Sequence, residues 1–213
     1  MGALYLVRHG QASRYDDGLD ALSDLGVEQS RAVAAELRRR GVEPTRIVTG
    51  GLLRQRQTAE ALTGPEPEVD ARWDEYDHLG VLTGHRHDVD PRTVQEALDA
   101  ALTTWVGATE GYRETWPGFR RRVREALDAL DPAGTTVVVT SAGPISAIAA
   151  ALLDATPRGW LALNRVMVNT GITTLAVGRR GVSLVSFNDH AHLLSFDGHA
   201  HVAGDGRRLL TYR

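Results

Sequence analysis

The sequence predicts an α/β protein, a three-layer α/β/α sandwich around a mainly parallel central sheet. Two observations predict it. Short apolar or β-branched runs at 3–7, 46–49, 135–140 and 171–177, with a fifth at 182–187, have the length and composition of strands. Between most of them lie longer stretches with apolar residues at helical spacing, and strands that alternate with helices form a largely parallel sheet covered on both faces. At 213 residues, 42% hydrophobic and 24% charged, the chain suits one substantial domain with a real core, spanning 1–213.

The elements follow in order. The first strand opens within a few residues of the N-terminus, which places it inside the sheet, with its carboxyl end facing the crevice where open α/β sheets bind ligands. A helix over Ser23–Arg40 begins at a Ser-Asp pair, carries Val27, Ala34 and Leu37 along one face and stops at Gly41. A shorter helix, Leu53–Leu62, ends at Thr63-Gly64-Pro65, and Phe119–Leu130 ends at Asp131-Pro132. Pro144–Leu153 has proline in the first turn, where its missing N–H costs nothing. Residues 77–118 break the rhythm: they hold Gly80, Gly84, Gly107, Gly111 and Gly118, two tryptophans and one helical pattern over Pro91–Trp105. They read as a surface excursion with a locally packed helix.

Composition excludes several function classes. The net charge of −3 provides no general attraction to nucleic acid or to anionic membranes. All 24 basic residues are arginine, and the runs Arg38-Arg39-Arg40 and Arg120-Arg121-Arg122 read as solvated helix faces. With no cysteine, disulfides, thiolate nucleophiles and zinc-thiolate sites are ruled out. No stretch has the length of a membrane span, and the N-terminus has no signal-peptide pattern, so a cytoplasmic location is expected.

The chemistry is expected where the first strand ends in Arg8-His9-Gly10. Arg8 offers a permanent charge and a planar fork for phosphate, His9 an imidazole able to attack phosphorus, and Gly10 a backbone that a ligand can approach. Further matches follow in order: Leu22–Gln29 opening a helix; Gly50–Ala59, with Arg54 in the first turn of its helix and Arg56 about 200° round it, facing solvent; Glu75 within Trp73–Asp77; Glu114–Arg120; Val137–Gly143; and Asn188–Leu193. Together they resemble the histidine phosphatase superfamily, the phosphoglycerate-mutase-like proteins, over most of residues 3–193.

The resemblance implies a phosphoglycerate-mutase-like fold in which 77–118 is a lid-like insertion that covers the site and selects substrates. It implies a metal-independent phosphomonoesterase acting on a small phosphorylated metabolite, without cofactor, through a phosphohistidine on His9. Arg8 and Arg54 would bind the phosphoryl oxygens, with Gly10, Ser13, Ala142 and Gly143 completing the phosphate site. Glu75 would be general acid and base, with Asp74 and Asp77 as rivals for that role. The chain departs from the family at Ala142, where a second histidine is usual. A lost preorganised donor costs on the order of 10²–10³ in rate, so His190 and His78 are the candidates to fill the gap, His190 the more interesting by its variable position in the motif. A phosphomutase, and a catalytically impaired phosphate-binding or regulatory module, are the competing readings. The pairs His190/His192, His199/His201 and His85/His87 lack a convincing third ligand, so no metal is expected. The expected partners are a small phosphorylated substrate and a second copy in a homodimer.

Overall fold

Alternation along the strands divides their side chains between two hydrophobic cores. Leu4 and Leu6 of β1 (Gly2–Arg8), Val48 of β2 (Arg46–Thr49), Val138 of β4 (Thr135–Thr140) and Leu175 of β5 (Ile172–Gly178) point into the larger core. Their neighbours Val7, Ile47, Val137, Val139 and Ile172 point into the smaller one on the other face. Period-two burial on both faces is what a sheet between two helical layers requires. In the computed structural model, which describes residues 2–13, 20–84, 94–131, 133–194, 201–203 and 205–212, β3 (Glu68–Val69) and β6 (Gly181–Asp189) complete a six-stranded sheet of order β3-β2-β4-β1-β5-β6. β1, β2, β3 and β4 run parallel to one another. β5 pairs antiparallel with both β1 and β6, so the sheet is mixed, a parallel body with an antiparallel edge.

The smaller core is closed by α1 (Asp24–Arg39) and α2 (Leu53–Glu60), through Val33, Leu37 and Ala59. Ser23 caps α1, its hydroxyl accepting from the Gly26 amide. Val27, expected on the inner face, is exposed; the buried stripe runs through Leu25, Ser30, Val33, Ala34 and Leu37. On the other face lie α4 (Val94–Gly107), α5 (Trp116–Asp128), α6 (Ala142–Leu152) and α7 (Pro157–Arg165). Both α5 and α6 start earlier than their apolar patterns indicate, α5 because Thr115 caps it with Pro117 in its first turn.

The segment after Glu75 is not merely a surface excursion. It holds α3 (His78–Gly84) and α4, and α4 buries Ala101, Leu102 and Trp105 in the larger core. Trp105 packs against Tyr76, Trp116, Phe119 and Trp160 with ring centroids 5.3 to 6.0 Å apart, and its indole N–H donates to the Glu114 carbonyl at 2.8 Å. This cluster of five aromatics anchors α4 to the body. Residues 85–93, with Pro91 and the pair His85/His87, lie outside the described residues, as does His199. Nor does the arginine run at 120–122 lie wholly in solvent. Arg122 turns inward, clasps Glu114 through two hydrogen bonds of 2.7 and 2.8 Å, and donates to the carbonyls of Arg72 and Asp74.

Gly10 is required for packing. A Cβ there would come within 2.4 Å of the Gly26 carbonyl oxygen, and one on Gly26 within 2.1 Å of the Gln11 carbonyl oxygen. The turn after β1 therefore lies directly on the start of α1. Gly10→Ala is expected to cost about 1–3 kcal/mol of stability, because the clash is with backbone that cannot rotate away; urea denaturation checks it, and an unchanged midpoint would contradict the contact.

Candidate active site

The end of β1 lies between β4 and β5, and both neighbours hold it. The His9 amide donates to Thr140 on one side and the Arg8 amide to Gly171 on the other. Arg8, His9 and Arg54 are all buried. The imidazole has a partner at each nitrogen: Nδ1 lies 2.7 Å from the Gly10 carbonyl oxygen, and Nε2 accepts from Arg54 Nε at 3.0 Å. A guanidinium only donates, so Nε2 carries the lone pair and Nδ1 the proton, which it gives to the carbonyl. Burial first, then the charges of Arg54 and Arg8, push the His9 pKa well below its ordinary value. The ring is therefore neutral at physiological pH, with the lone pair of Nε2 turned toward positive charge.

The arginines are fixed in turn. Arg8 donates through Nη1 to the Met167 carbonyl, two residues past the end of α7. Arg54 sits in the first turn of α2, where Asp20 holds it twice, through an ion pair to its Nη1 and through the Asp20 carbonyl accepting the Arg54 amide at 2.8 Å, while the other carboxylate oxygen accepts from the neighbouring Leu53 amide at 3.1 Å. The carbonyl of His9 accepts from Asn169 Nδ2 at 3.2 Å and from the Thr170 amide at 3.3 Å. Thr170 has φ of 60°, a left-handed conformation costly for a β-branched residue, and it stands beside the proposed nucleophile. Asp20, Asn169 and Thr170 were not foreseen, because nothing in their local sequence marks them; the fold alone brings them to His9 and Arg54.

Geometry separates the three acidic residues. Asp74 accepts from the Gly51 amide at 2.6 Å, at the entrance to α2, and burial raises its pKa. Asp77 accepts from the Gly80 amide in α3. Glu75 reaches the start of α6, where Oε2 accepts from the Gly143 amide at 3.3 Å. A Cβ on Gly143 would lie 2.1 Å from Glu75 Oε1 and 2.8 Å from the Tyr76 ring, so only glycine admits this arrangement. Ala142 is buried beside it as the first residue of α6, and Trp160 donates to the Gly143 carbonyl at 3.2 Å. Ser13 is tied to Ala21 by its amide and hydroxyl. Arg56 is exposed.

The two histidines considered for the gap at position 142 differ in their surroundings. His190 directs Nδ1 to the Asn188 carbonyl at 2.7 Å and lies near His192. His78 is partly buried and feels the charge of Arg54. His192 places Nε2 3.2 Å from the Thr170 hydroxyl, and burial, only partly offset by Glu36, lowers its pKa to about 4. The unfolded chain takes up a proton near pH 6.5 that the folded one refuses, so this contribution to stability is complete above that pH and declines as pH falls toward 4. His192→Gln is expected to remove about 2 kcal/mol of the acid-dependent loss between those values, once partial exposure is counted. Denaturant melts at stepped pH check it; identical slopes for the two proteins would contradict it. Among the described residues, no three His, Asp or Glu side chains gather as metal ligands, and no helix is long and apolar enough to cross a membrane.

The sequence profile of the histidine phosphatase superfamily (branch 1) matches residues 4–190. No curated protein sequence matches the chain significantly. Solved structures share the fold. A mycobacterial glucosyl-3-phosphoglycerate phosphatase in complex with VO3 is 26% identical, with a TM-score of 0.63 over 88% of this chain and 99% of that one. A mutant phosphoserine phosphatase from Entamoeba histolytica in complex with phosphoserine is 20% identical, with a TM-score of 0.65 over 91% and 100%. Bacillus stearothermophilus YhfR is 20% identical, with a TM-score of 0.67 over 90% and 99%.

Proposed function

The chain belongs to the histidine phosphatase superfamily, and from that premise we propose that it is a metal-independent phosphomonoesterase that cleaves a small phosphorylated metabolite through a phosphohistidine on His9. The observation that carries this reading is the neutral imidazole of His9, with its Nε2 lone pair facing Arg54 beside Arg8. Phosphoryl transfer needs little beyond positioning and charge: a clamp on the equatorial oxygens, an in-line nucleophile and a proton for the leaving oxygen.

The steps follow from those parts. A bound phosphate monoester draws the N–H groups of Arg54 from His9 to its own oxygens, freeing the lone pair, and Arg8 supplies the second charge. Nε2 forms the bond to phosphorus while the bond to the ester oxygen breaks, and the Glu75 carboxyl gives that oxygen its proton. The Glu75 carboxylate then takes a proton from water as the water oxygen bonds to phosphorus. The N–P bond breaks, and inorganic phosphate and neutral His9 remain. Gly10 keeps the ring in the tautomer that both steps need.

A panel of phosphomonoesters, assayed with chelator present, tests the reading. Inorganic phosphate released with an alcohol product supports a hydrolase. A positional isomer formed without net phosphate would assign a mutase, and neither product from any ester would assign a phosphate-binding module.

A further inference from the structure

We propose that Gln29 is a positioning residue for His9: its carboxamide, held in one orientation by Leu209 and Thr211, fixes the peptide group whose carbonyl decides which imidazole nitrogen bears the proton. The catalytic consequence rests on the phosphatase reading of the site, whereas the geometry stands on hydrogen bonds. The Gly10 carbonyl, 2.7 Å from His9 Nδ1, belongs to the same rigid planar unit as the Gln11 amide. Gln29, on the buried face of α1, accepts from that amide through Oε1 at 2.8 Å. Turning the unit away from His9 would break both bonds, so the contact at Gln11 aims the carbonyl at the other edge of the plane.

Gln29 has one orientation open to it. Its Nε2 donates to the Leu209 carbonyl at 2.7 Å, and a carbonyl only accepts, so the amide nitrogen lies there and the oxygen faces Gln11. The second hydrogen on Nε2 goes to the Thr211 hydroxyl at 2.7 Å, and that hydroxyl donates its own to Asn169 Oδ1 at 3.0 Å. Asn169 Nδ2 is then left to donate to the His9 carbonyl at 3.2 Å. One carbonyl thus sets the direction of every bond in a chain that leaves the backbone at Gln11 and returns to it at His9. Gln29 and Asn169 are both buried, and the Asn169 amide holds the Thr211 carbonyl at 3.0 Å. A buried network with every member satisfied is rigid, and removing one member leaves its partners unpaired. The consequence lies in the tautomer. A neutral imidazole free in water favours the proton on Nε2, which leaves no lone pair at the attacking atom. Arg54 opposes that tautomer from one side and Gly10 from the other. In the proposed reaction Arg54 turns to the phosphoryl oxygens, and the Gly10 carbonyl then keeps the lone pair available for attack.

The test locates the proton. Arg54→Ala leaves Gly10 as the imidazole's partner among the described residues. Nitrogen NMR of isotope-labelled histidine at alkaline pH, with the His9 signal assigned by its loss in His9→Ala, then reports which ring nitrogen is protonated. In Arg54→Ala the proton is expected on Nδ1, and in Arg54→Ala with Gln29→Met chiefly on Nε2. With Arg54 present, Gln29→Met is expected to lower kcat by about 10²-fold, while inorganic phosphate, held by Arg8 and Arg54, binds within about threefold of the wild type. Thr211→Val removes a hydroxyl from a half-buried side chain and is expected to shift both readouts the same way by less; it decides alone if Gln29→Met fails to fold. A proton that stays on Nδ1 throughout would overturn the assignment, as would its transfer to Nε2 with kcat unchanged. Turnover and phosphate binding lost in equal measure would reduce Gln29 to a general support of the fold and overturn it too. If the wild type releases no phosphate from any ester, the phosphatase reading fails, and the NMR comparison alone decides whether Gln29 positions His9.

Discussion

His9→Ala is expected to reduce kcat by about 10⁴-fold or more, because it removes the atom that bonds to phosphorus, and the loss of a nucleophile is not made good by the groups around it. The anion clamp should survive. Arg8 remains tied to Met167, and Arg54 keeps Asp20 and its place at the start of α2. Inorganic phosphate is therefore expected to bind the variant within about tenfold of the wild type, the discrimination expected of an interaction made chiefly in the transition state. Single-turnover phosphate release and calorimetric titration with phosphate provide the two numbers. Turnover retained at one part in a hundred would remove His9 from the mechanism, and equal loss of turnover and binding would make it a binding residue only.

Glu75→Gln is expected to lower kcat by about 10²–10⁴-fold for alkyl phosphates, whose leaving oxygen needs a proton. With p-nitrophenyl phosphate the first step should be nearly unaffected, since nitrophenolate departs unprotonated. Water attack still lacks its base, so a burst of nitrophenolate should precede a slow steady rate. This dependence on the leaving group separates Glu75 from its neighbours: Asp74 spends its carboxylate on the Gly51 amide and Asp77 on the Gly80 amide. Asp74→Asn is expected to alter stability and not the ratio between the two esters. If Glu75→Gln lowers both esters equally, with no burst, Glu75 is not the proton donor.

The parts of the fold that were legible are those written in contiguous residues. The valine-rich run ending at Thr140 alternates between the two cores, and a β-branched segment of that length has few other uses. Arg8 and His9 stood out because they end such a run, and Arg54 because it opens a helix after a glycine pair. α7 escaped notice, its start at Thr156-Pro157 being a readable cap but Gly159 and Asn164 lowering its helical signal. β3 has two residues, too few for any pattern. The antiparallel edge was hidden because strand direction is a property of connections; the short Gly178–Gly181 turn between β5 and β6, with Gly181 at φ of 100°, was its one local trace. In the site, the groups missed are those that hold others. Asp20 acts on Arg54 from 34 positions away, and Asn169 on His9 from 160. Spacing in the chain carries no record of such contacts. Arg122 was read as solvated from a run of like residues, whereas it clasps Glu114 and donates to carbonyls just before Glu75.

The central claim is a covalent bond between His9 and phosphorus, and trapping that bond tests it most directly. The protein is mixed with a substrate identified by the ester panel, quenched in denaturant at alkaline pH, digested and analysed by mass spectrometry. The expected result is a phosphoryl group on the peptide bearing His9, lost on brief exposure to acid and accumulating further in Glu75→Gln with p-nitrophenyl phosphate. Steady phosphate release with no phosphorylated peptide at any time, or a phosphorylated peptide that persists in His9→Ala, would contradict the account.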